Sequence, residues 1–303
     1  RGDRRGGARR RRPGPPVSPG PLRLKLPRVG TTIFTVMSRL AAERGALNLS
    51  QGFPDFDPPA ALVESVVAQL RGGANKYAPM AGLPVLCEAI AARTAVLYGR
   101  TVDPETEITV TSGATEALFC ALQALAGPGD EVILLVPAYD SYEVAVRLAG
   151  ARPVRVALRR PDFAVDWERG AAALGPRTRA ICVNSPHNPT GAVLSAGDLD
   201  ALAAVLRDRH VYIVADEVYE HMVFGGREHL SVLSRPDLYA RAWVVSSFGK
   251  TCHATGWKVG YCVAPPELSR EFRKVHQFVQ FAVATPLQAG LADFLVAYPE
   301  HAS

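Results

Sequence analysis

Lys250 and Lys258 lie eight residues apart in the segment SSFGKTCHATGWK, residues 246–258, directly after a short run of strand-forming residues. A lysine amine shifts its pKa readily in a desolvated setting and condenses with carbonyl compounds. A second cation close by depresses that pKa further and can neutralise a phosphate. Ser247, three residues before Lys250, adds a hydroxyl at the same strand end. Taken alone, the segment reads equally well as two surface lysines flanking a loop.

Four other segments carry chemistry of the same kind. In IVADEVY, residues 213–219, an apolar run ends in Asp216 and Glu217 and is followed by Tyr219. A carboxylate there can pair with a protonated ring nitrogen, although Asp after a strand also serves as a helix cap. In NSPHNPTG, residues 184–191, two prolines and a glycine fix a rigid turn open to a cis bond. That turn presents Asn188 as donor and acceptor, while His187 reads as an ordinary loop histidine. In TSGATEA, residues 111–117, small residues lead from a strand into a helix, which leaves free N–H groups at Gly113, Ala114 and Thr115 as a phosphate cradle. The pattern is neither GxGxxG nor GxxxxGK[ST], so a dinucleotide or nucleoside-triphosphate site is not supported. Tyr139, in Pro137-Ala138-Tyr139, offers a ring to stack on a flat ligand, or else a core tyrosine.

These segments share a position: each follows a candidate strand. The strands expected are Glu107–Thr111, Glu131–Val136, Pro153–Leu158, Thr178–Asn184, Val211–Asp216, Ala242–Ser247 and Lys258–Ala264, with helical patterns such as Thr115–Ala126, Ser141–Leu148, Ser195–Arg209 and Glu267–Phe281 between them. Near-continuous Val/Ile/Leu strands alternating with helices imply an α/β three-layer sandwich with a mostly parallel sheet buried on both faces. In such folds ligands bind outside the carboxyl ends of the strands. Residues 29–106 are less regular, with helices near Thr32–Gly45, Ala60–Arg71 and ending at Tyr98. A last helix is expected near Leu287–Tyr298.

Composition narrows the class. With 48% hydrophobic and 21% charged residues among 303, the chain can build a sizeable core, which excludes disordered and collagen-like proteins. The formal charge of +5 is uneven: residues 1–28 hold ten basic residues and one acid, Asp3, which leaves residues 29–303 net acidic. The basic stretch is rich in Arg, Gly and Pro and is expected to be a disordered tail over residues 1–26. It reads as a nucleic-acid or nuclear address, an organelle transit segment, or sequence from upstream of the natural start, the last being favoured. Five cysteines without CxxC spacing suit a reduced, cytoplasmic interior rather than disulfides or zinc, and no metal site is expected. No apolar stretch approaches the ~18 residues of a membrane helix, and neither a membrane nor a nucleic-acid partner is expected.

Together a strand-end lysine, a ring-nitrogen carboxylate, a phosphate cradle and a stacking aromatic form a site for pyridoxal 5'-phosphate. Over Leu26 to the last residue the chain resembles the class I/II aminotransferases of fold type I, nearest the methionine and kynurenine branch. The likeness is carried by LNLSQGFPDF, NKYAPMAG, VPAYDSY, SPHNPTG, VADEVYEH and SFGKTCHATGWKVGYCVAP. The resemblance implies that Lys250 is the Schiff-base lysine and that Asp216 holds the pyridine nitrogen protonated. It has Tyr219 and Asn188 bind the phenolic oxygen and Tyr139 stack on the ring. Gly113, Ala114, Thr115, Ser247 and Lys258 would hold the phosphate. Tyr77 would reach the phosphate of a neighbouring subunit in a homodimer with shared active sites, and Gly52, with Asn188, would meet the substrate. The implied reaction is ping-pong amino transfer from an L-amino acid (methionine, kynurenine, glutamine or an aromatic one) to a 2-oxo acid. A cysteine-S-conjugate β-lyase uses the same residues and is the alternative, as is a catalytically impaired cofactor-binding fragment. The implied domains are an N-terminal segment of the small domain over 27–58, a cofactor-binding large domain over 59–288 and the start of a truncated C-terminal small domain over 289–303. The family's carboxylate-gripping arginine has no match before Ser303, so substrate recognition is expected to be incomplete and the fragment poorly soluble.

Overall fold

A computed structural model describes residues 24–27, 29–52 and 54–301. The expected tail falls mostly on residues 1–23, outside the described residues. The chain divides into two units, Arg1–Gly30 and Thr31–Ser303. The described part of the first holds one turn, closed by Val29 N–H donating to the Leu26 carbonyl at 3.1 Å.

The second unit opens with α1 (Ile33–Arg44), which starts where the Thr32 hydroxyl accepts from the Thr35 N–H and stops at Gly45 in the left-handed region. It continues through α2 (Ala60–Arg71) and α3 (Pro84–Tyr98), the latter begun by a proline that needs no N–H partner at that position. Strands and helices then alternate: β1 (Ile108–Thr111), α4 (Gly113–Leu125), β2 (Glu131–Val136), α5 (Asp140–Leu148), β3 (Arg152–Ala157), α6 (Trp167–Ala173), β4 (Thr178–Asn184), α7 (Ala196–Leu206) and β5 (Tyr212–Asp216). After β5 come the short α8 (Pro236–Tyr239), β6 (Ala242–Ser247), the four-residue α9 (Phe248–Thr251), β7 (Gly260–Val263), α10 (Pro266–Val279) and α11 (Thr285–Ala297). The expected helix from Ser195 begins with a reciprocal cap between Ser195 and Asp198.

Among the described residues seven strands form one sheet in the order β1-β7-β6-β5-β4-β2-β3. All neighbouring pairs from β6 to β3 are parallel, and β7 runs antiparallel to both β6 and β1. The mostly parallel α/β sandwich expected from the strand pattern is thus the observed fold. Alternate strand residues face opposite layers. Ile133, Leu135, Ile181, Ile213 and Val244 pack with α2, α3, α7 and α11, whereas Val132, Leu134, Cys182, Val214 and Trp243 pack with α4, α5 and α10. Helix α11 runs unbroken across residues 288 and 289, its apolar face laid on α2. Gly290 permits that approach, since a Cβ there would lie 2.5 Å from the Val66 side chain. All five cysteines are free and buried. Among the described residues no helix is long and apolar enough to cross a membrane.

Candidate active site

Register places the chemistry. Asn184, the last residue of β4, pairs with Asp216, the last of β5. Ser247 at the end of β6 and Thr111 at the end of β1 both face Gly260 of β7. The turns leaving β1, β2, β4, β5 and β6 therefore meet at one edge of the sheet. They enclose a cavity of about 430 Å³ lined by Ala114, Thr115, Tyr139, Asn188, Asp216, Tyr219, Ser247, Lys250 and Lys258, a volume within the ordinary range for small-ligand sites. Gly52, Gln51 and Phe34 wall it from the N-terminal side, and Leu118, Val218, Gly249, Thr255 and Gly256 complete the lining. No arginine is among these residues.

Lys250 projects into the cavity from α9. Its Nζ donates to the Gly52 carbonyl at 2.9 Å and stands 5.3 Å from the centre of the Tyr219 ring. Burial lowers its pKa from the usual lysine value, the charge of Lys258 lowers it further, and Asp216 opposes both. A depressed pKa makes this amine available as nucleophile or base.

Asp216 is 5% exposed. Its Oδ2 accepts from the Tyr142 hydroxyl at 2.6 Å and its Oδ1 from the Val218 N–H at 3.2 Å. Burial outweighs these bonds and pushes its pKa up to about 6. A cation brought against this carboxylate would offset the desolvation, which is the condition a protonated ring nitrogen meets. The Asp216 carbonyl also accepts from Asn184 Nδ2 at 2.8 Å, and Asn184 Oδ1 takes the Asn188 N–H at 2.7 Å. One buried asparagine thus fixes the NSPHNPTG turn to β5. Both Ser185–Pro186 and Asn188–Pro189 are cis. His187 bonds Thr190 Oγ1 through Nδ1 at 2.8 Å and does not line this cavity, as expected of a loop histidine.

The cradle forms at the start of α4. Gly113 has φ +74°, and Lys258, itself left-handed at φ 55°, brings its Nζ to 3.2 Å from where a Cβ on Gly113 would sit. Only a glycine leaves that space to the ammonium, so a cation and the first N–H groups of the helix share one gap. That combination fits a phosphate. Gly260 allows the approach: a Cβ there would lie 2.8 Å from the Ser246 carbonyl oxygen and 2.9 Å from the Ala114 nitrogen. Tyr139 stands at the N-terminus of α5, beside Thr115 in the cavity lining and edge-on to Tyr142 with ring centres 5.7 Å apart. Burial raises the pKa of Tyr139 and, with help from Asp216, that of Tyr219, so both remain phenols.

Tyr77 is the expected site residue that lies elsewhere. It is 87% exposed and packs edge-on against Phe281 at 5.4 Å, outside the cavity. Tyr142, Gln51 and Phe34 were not expected here. Tyr142 had a signal, because a buried strand-end carboxylate needs a donor and the VPAYDSY segment supplies one. Gln51 had one too, as the neighbour of Gly52 in LNLSQGFPDF, whereas nothing local marks Phe34.

Comparison with known proteins agrees with this geometry. The sequence matches the family described as aminotransferase class I and II over residues 44–303. It is 53% identical over 277 residues to the methionine aminotransferase of Escherichia coli, which covers 91% of this chain and 72% of that protein. It is 38% identical over 269 residues to the human kynurenine–oxoglutarate transaminase 1, covering 84% of this chain and 64% of that one. A crystal structure of a methionine aminotransferase from Escherichia coli superposes with a TM-score of 0.90 at 52% identity, covering 94% of this chain and 74% of the other.

Proposed function

The chain belongs to the class I and II aminotransferases, and from that premise we propose that its strand-end cavity binds pyridoxal 5'-phosphate and carries amino transfer from an L-amino acid to a 2-oxo acid. The observation that carries the reading is the convergence of Lys250, Asp216 and the Lys258–α4 cradle on one cavity. Bound there, pyridoxal phosphate supplies an aldehyde for the amino group and an electron-withdrawing ring that acidifies the Cα–H.

The residues divide the work by their surroundings. Gly113, Ala114 and Thr115 offer N–H groups to the phosphate, with the Ser247 hydroxyl and the Lys258 ammonium closing the other side. Asp216, buried and braced by Tyr142, keeps the ring nitrogen protonated. Tyr219 and Asn188 hydrogen-bond the phenolic oxygen, and Tyr139 packs on the ring face. Lys250, with its lowered pKa, is the amine that would hold the aldehyde until the substrate amine displaces it, and once freed it would take and return the Cα proton as general base. Gly52, whose carbonyl holds Lys250, and Asn188 stand where the amino-acid substrate enters.

Phe34 and Leu118 give the cavity an apolar wall, which suits methionine, kynurenine or aromatic side chains better than glutamine. The 53% identity to a methionine aminotransferase supports methionine first. The similar proteins are transaminases by name, which puts amino transfer ahead of β-elimination. Tyr77, exposed beside the half-exposed Phe281, supports a homodimer in which each subunit reaches the phosphate of the other. The reading also divides the chain into a 27–58 arm, a 59–288 cofactor domain and a small-domain start from 289, in a cytoplasmic enzyme without nucleic-acid or membrane partners. The test uses the chain loaded with pyridoxal phosphate and given L-methionine. Release of the 2-oxo acid and the visible absorbance of the bound cofactor should both vanish in Lys250→Ala. A variant that keeps both refutes the assignment.

A further inference from the structure

Behind the cradle lies a buried cluster that the proposed reaction does not use. Ser112 caps α4 without help from its own side chain; its N–H instead donates to Glu116 Oε2 at 2.9 Å. Glu116 Oε1 accepts from Cys120 Sγ at 2.8 Å, and Nδ1 of His276, on α10, lies 2.9 Å from the same oxygen. The other ring nitrogen, Nε2, is 3.0 Å from the Met80 carbonyl oxygen. The His276 side chain is fully buried and that of Glu116 nearly so.

Donor bookkeeping fixes the net charge of the pair. A carbonyl oxygen only accepts, so Nε2 carries a hydrogen. Burial, reinforced by Glu116, pushes the Cys120 thiol up, so its sulfur keeps a hydrogen to donate. A backbone N–H and a thiol already point at the Glu116 carboxyl group, and at 2.9 Å one further proton must lie between Nδ1 and Oε1, since two bare acceptors would repel. Whichever of the two atoms holds that proton, the His276–Glu116 pair is neutral overall. The three side chains stand close enough together to ligate a metal, but here their polar atoms are engaged with one another and with Ser112 and Met80.

A carboxylate in the first turn occupies the positive helix end that a phosphate also needs. Resting on the cofactor reading above, we propose that His276 and Glu116 are a charge-cancelling pair of positioning residues for the phosphate cradle. Glu116 holds the Ser112 N–H, which sets the direction of the Gly113, Ala114 and Thr115 N–H groups. His276 neutralises Glu116, so the carboxylate braces the cradle without repelling its anion. Met80 belongs to the NKYAPMAG loop, so the same ring also ties the segment after Tyr77 to the cradle.

The experiment measures pyridoxal phosphate affinity of the full chain by fluorescence quenching in wild type, His276→Gln, Glu116→Gln and the double variant. His276→Gln should bind at least tenfold more weakly, since a lone unit charge about one helical turn away at an effective dielectric near 20 corresponds to roughly a hundredfold before solvent screening. Glu116→Gln should bind at least as well as wild type, and the double variant should recover to within about threefold of it. A merely structural role would leave the double variant no better than the worse single one, and that result overturns the proposal, as does wild-type affinity in His276→Gln. Should circular dichroism show that His276→Gln does not fold, Glu116→Gln decides: retained affinity sustains the pair and a tenfold loss overturns it. Wild type that binds no pyridoxal phosphate refutes the cofactor reading itself, whatever the variants do.

Discussion

Replacing Gly260 by alanine should damage stability and cofactor binding together, because of what the new methyl group would meet. The added Cβ would lie 2.8 Å from the Ser246 carbonyl oxygen, 2.9 Å from the Ala114 nitrogen and 2.9 Å from the Gly113 carbonyl carbon. All three are backbone atoms, so no side chain can rotate aside. Relief requires the start of α4 to move off the sheet, or β6 to part from β7. Overpacking of this kind costs about 1–3 kcal/mol. At roughly 2–4 °C per kcal/mol for a chain somewhat shorter than this, the melting temperature should fall by roughly 2–12 °C. The displaced atoms include the cradle N–H of Ala114, so pyridoxal phosphate affinity should drop as well. Gly175→Ala is the control, since a Cβ there meets nothing within 4 Å. The assay is a thermal melt followed by a cofactor titration of each variant. A Gly260→Ala protein that melts and binds like wild type would refute the close approach of α4 to β7.

Three further perturbations test the site's electrostatics. Lys258→Met removes a charge that lowers the Lys250 pKa, whereas Asp216→Asn removes one that raises it. The pH profile of Lys250 acylation, followed on its own peptide by mass spectrometry, should move up in the first variant and down in the second; the opposite order contradicts the charge assignments. Burial, aided by Arg93, lowers the His221 pKa to about 4 from an ordinary 6.5. Between those values the unfolded chain binds the proton that the folded chain refuses, so stability falls as pH drops through that window. His221→Gln should lose less stability than wild type between pH 6.5 and 5 in urea melts, and equal losses would contradict the burial argument. Asp216 has the opposite sign: its folded pKa of about 6 lies above the ordinary 3.8, so its contribution to stability falls as pH rises from about 4 to 6. Asp216→Asn should flatten that slope in the cofactor-free chain, and an unchanged slope would place the carboxylate in water.

Much of this arrangement was legible in the residues. Runs such as EVILLV and TRAICVN are apolar on both faces, which only a sheet covered on two sides can bury, and each reactive residue follows such a run. Lys250, Asp216, Asn188 and the Gly113 turn could therefore be placed at one edge before any coordinates. The direction of β7 was harder, because its composition matches its parallel neighbours. The connection from β6 does encode it: residues 248–259 hold only α9 and a short 3-10 turn, too little helix to cross the sheet face. The bond from Lys250 to the Gly52 carbonyl spans 198 positions, and the Tyr142–Asp216 bond spans 74. No periodicity reports a contact of that kind; it exists only once the sheet is assembled. Nothing in the sequence singles out His276 for the same reason, its partners being supplied by α4 and the Met80 loop.

The account turns on one amine. The full chain should be incubated with pyridoxal phosphate, reduced with borohydride, digested and examined by mass spectrometry. The peptide containing Lys250 is predicted to carry one phosphopyridoxyl group, with Lys258 unmodified and the addition lost in Lys250→Ala. Attachment at Lys258 or another lysine, or no addition at all, would contradict the assignment of this cavity as a pyridoxal phosphate site.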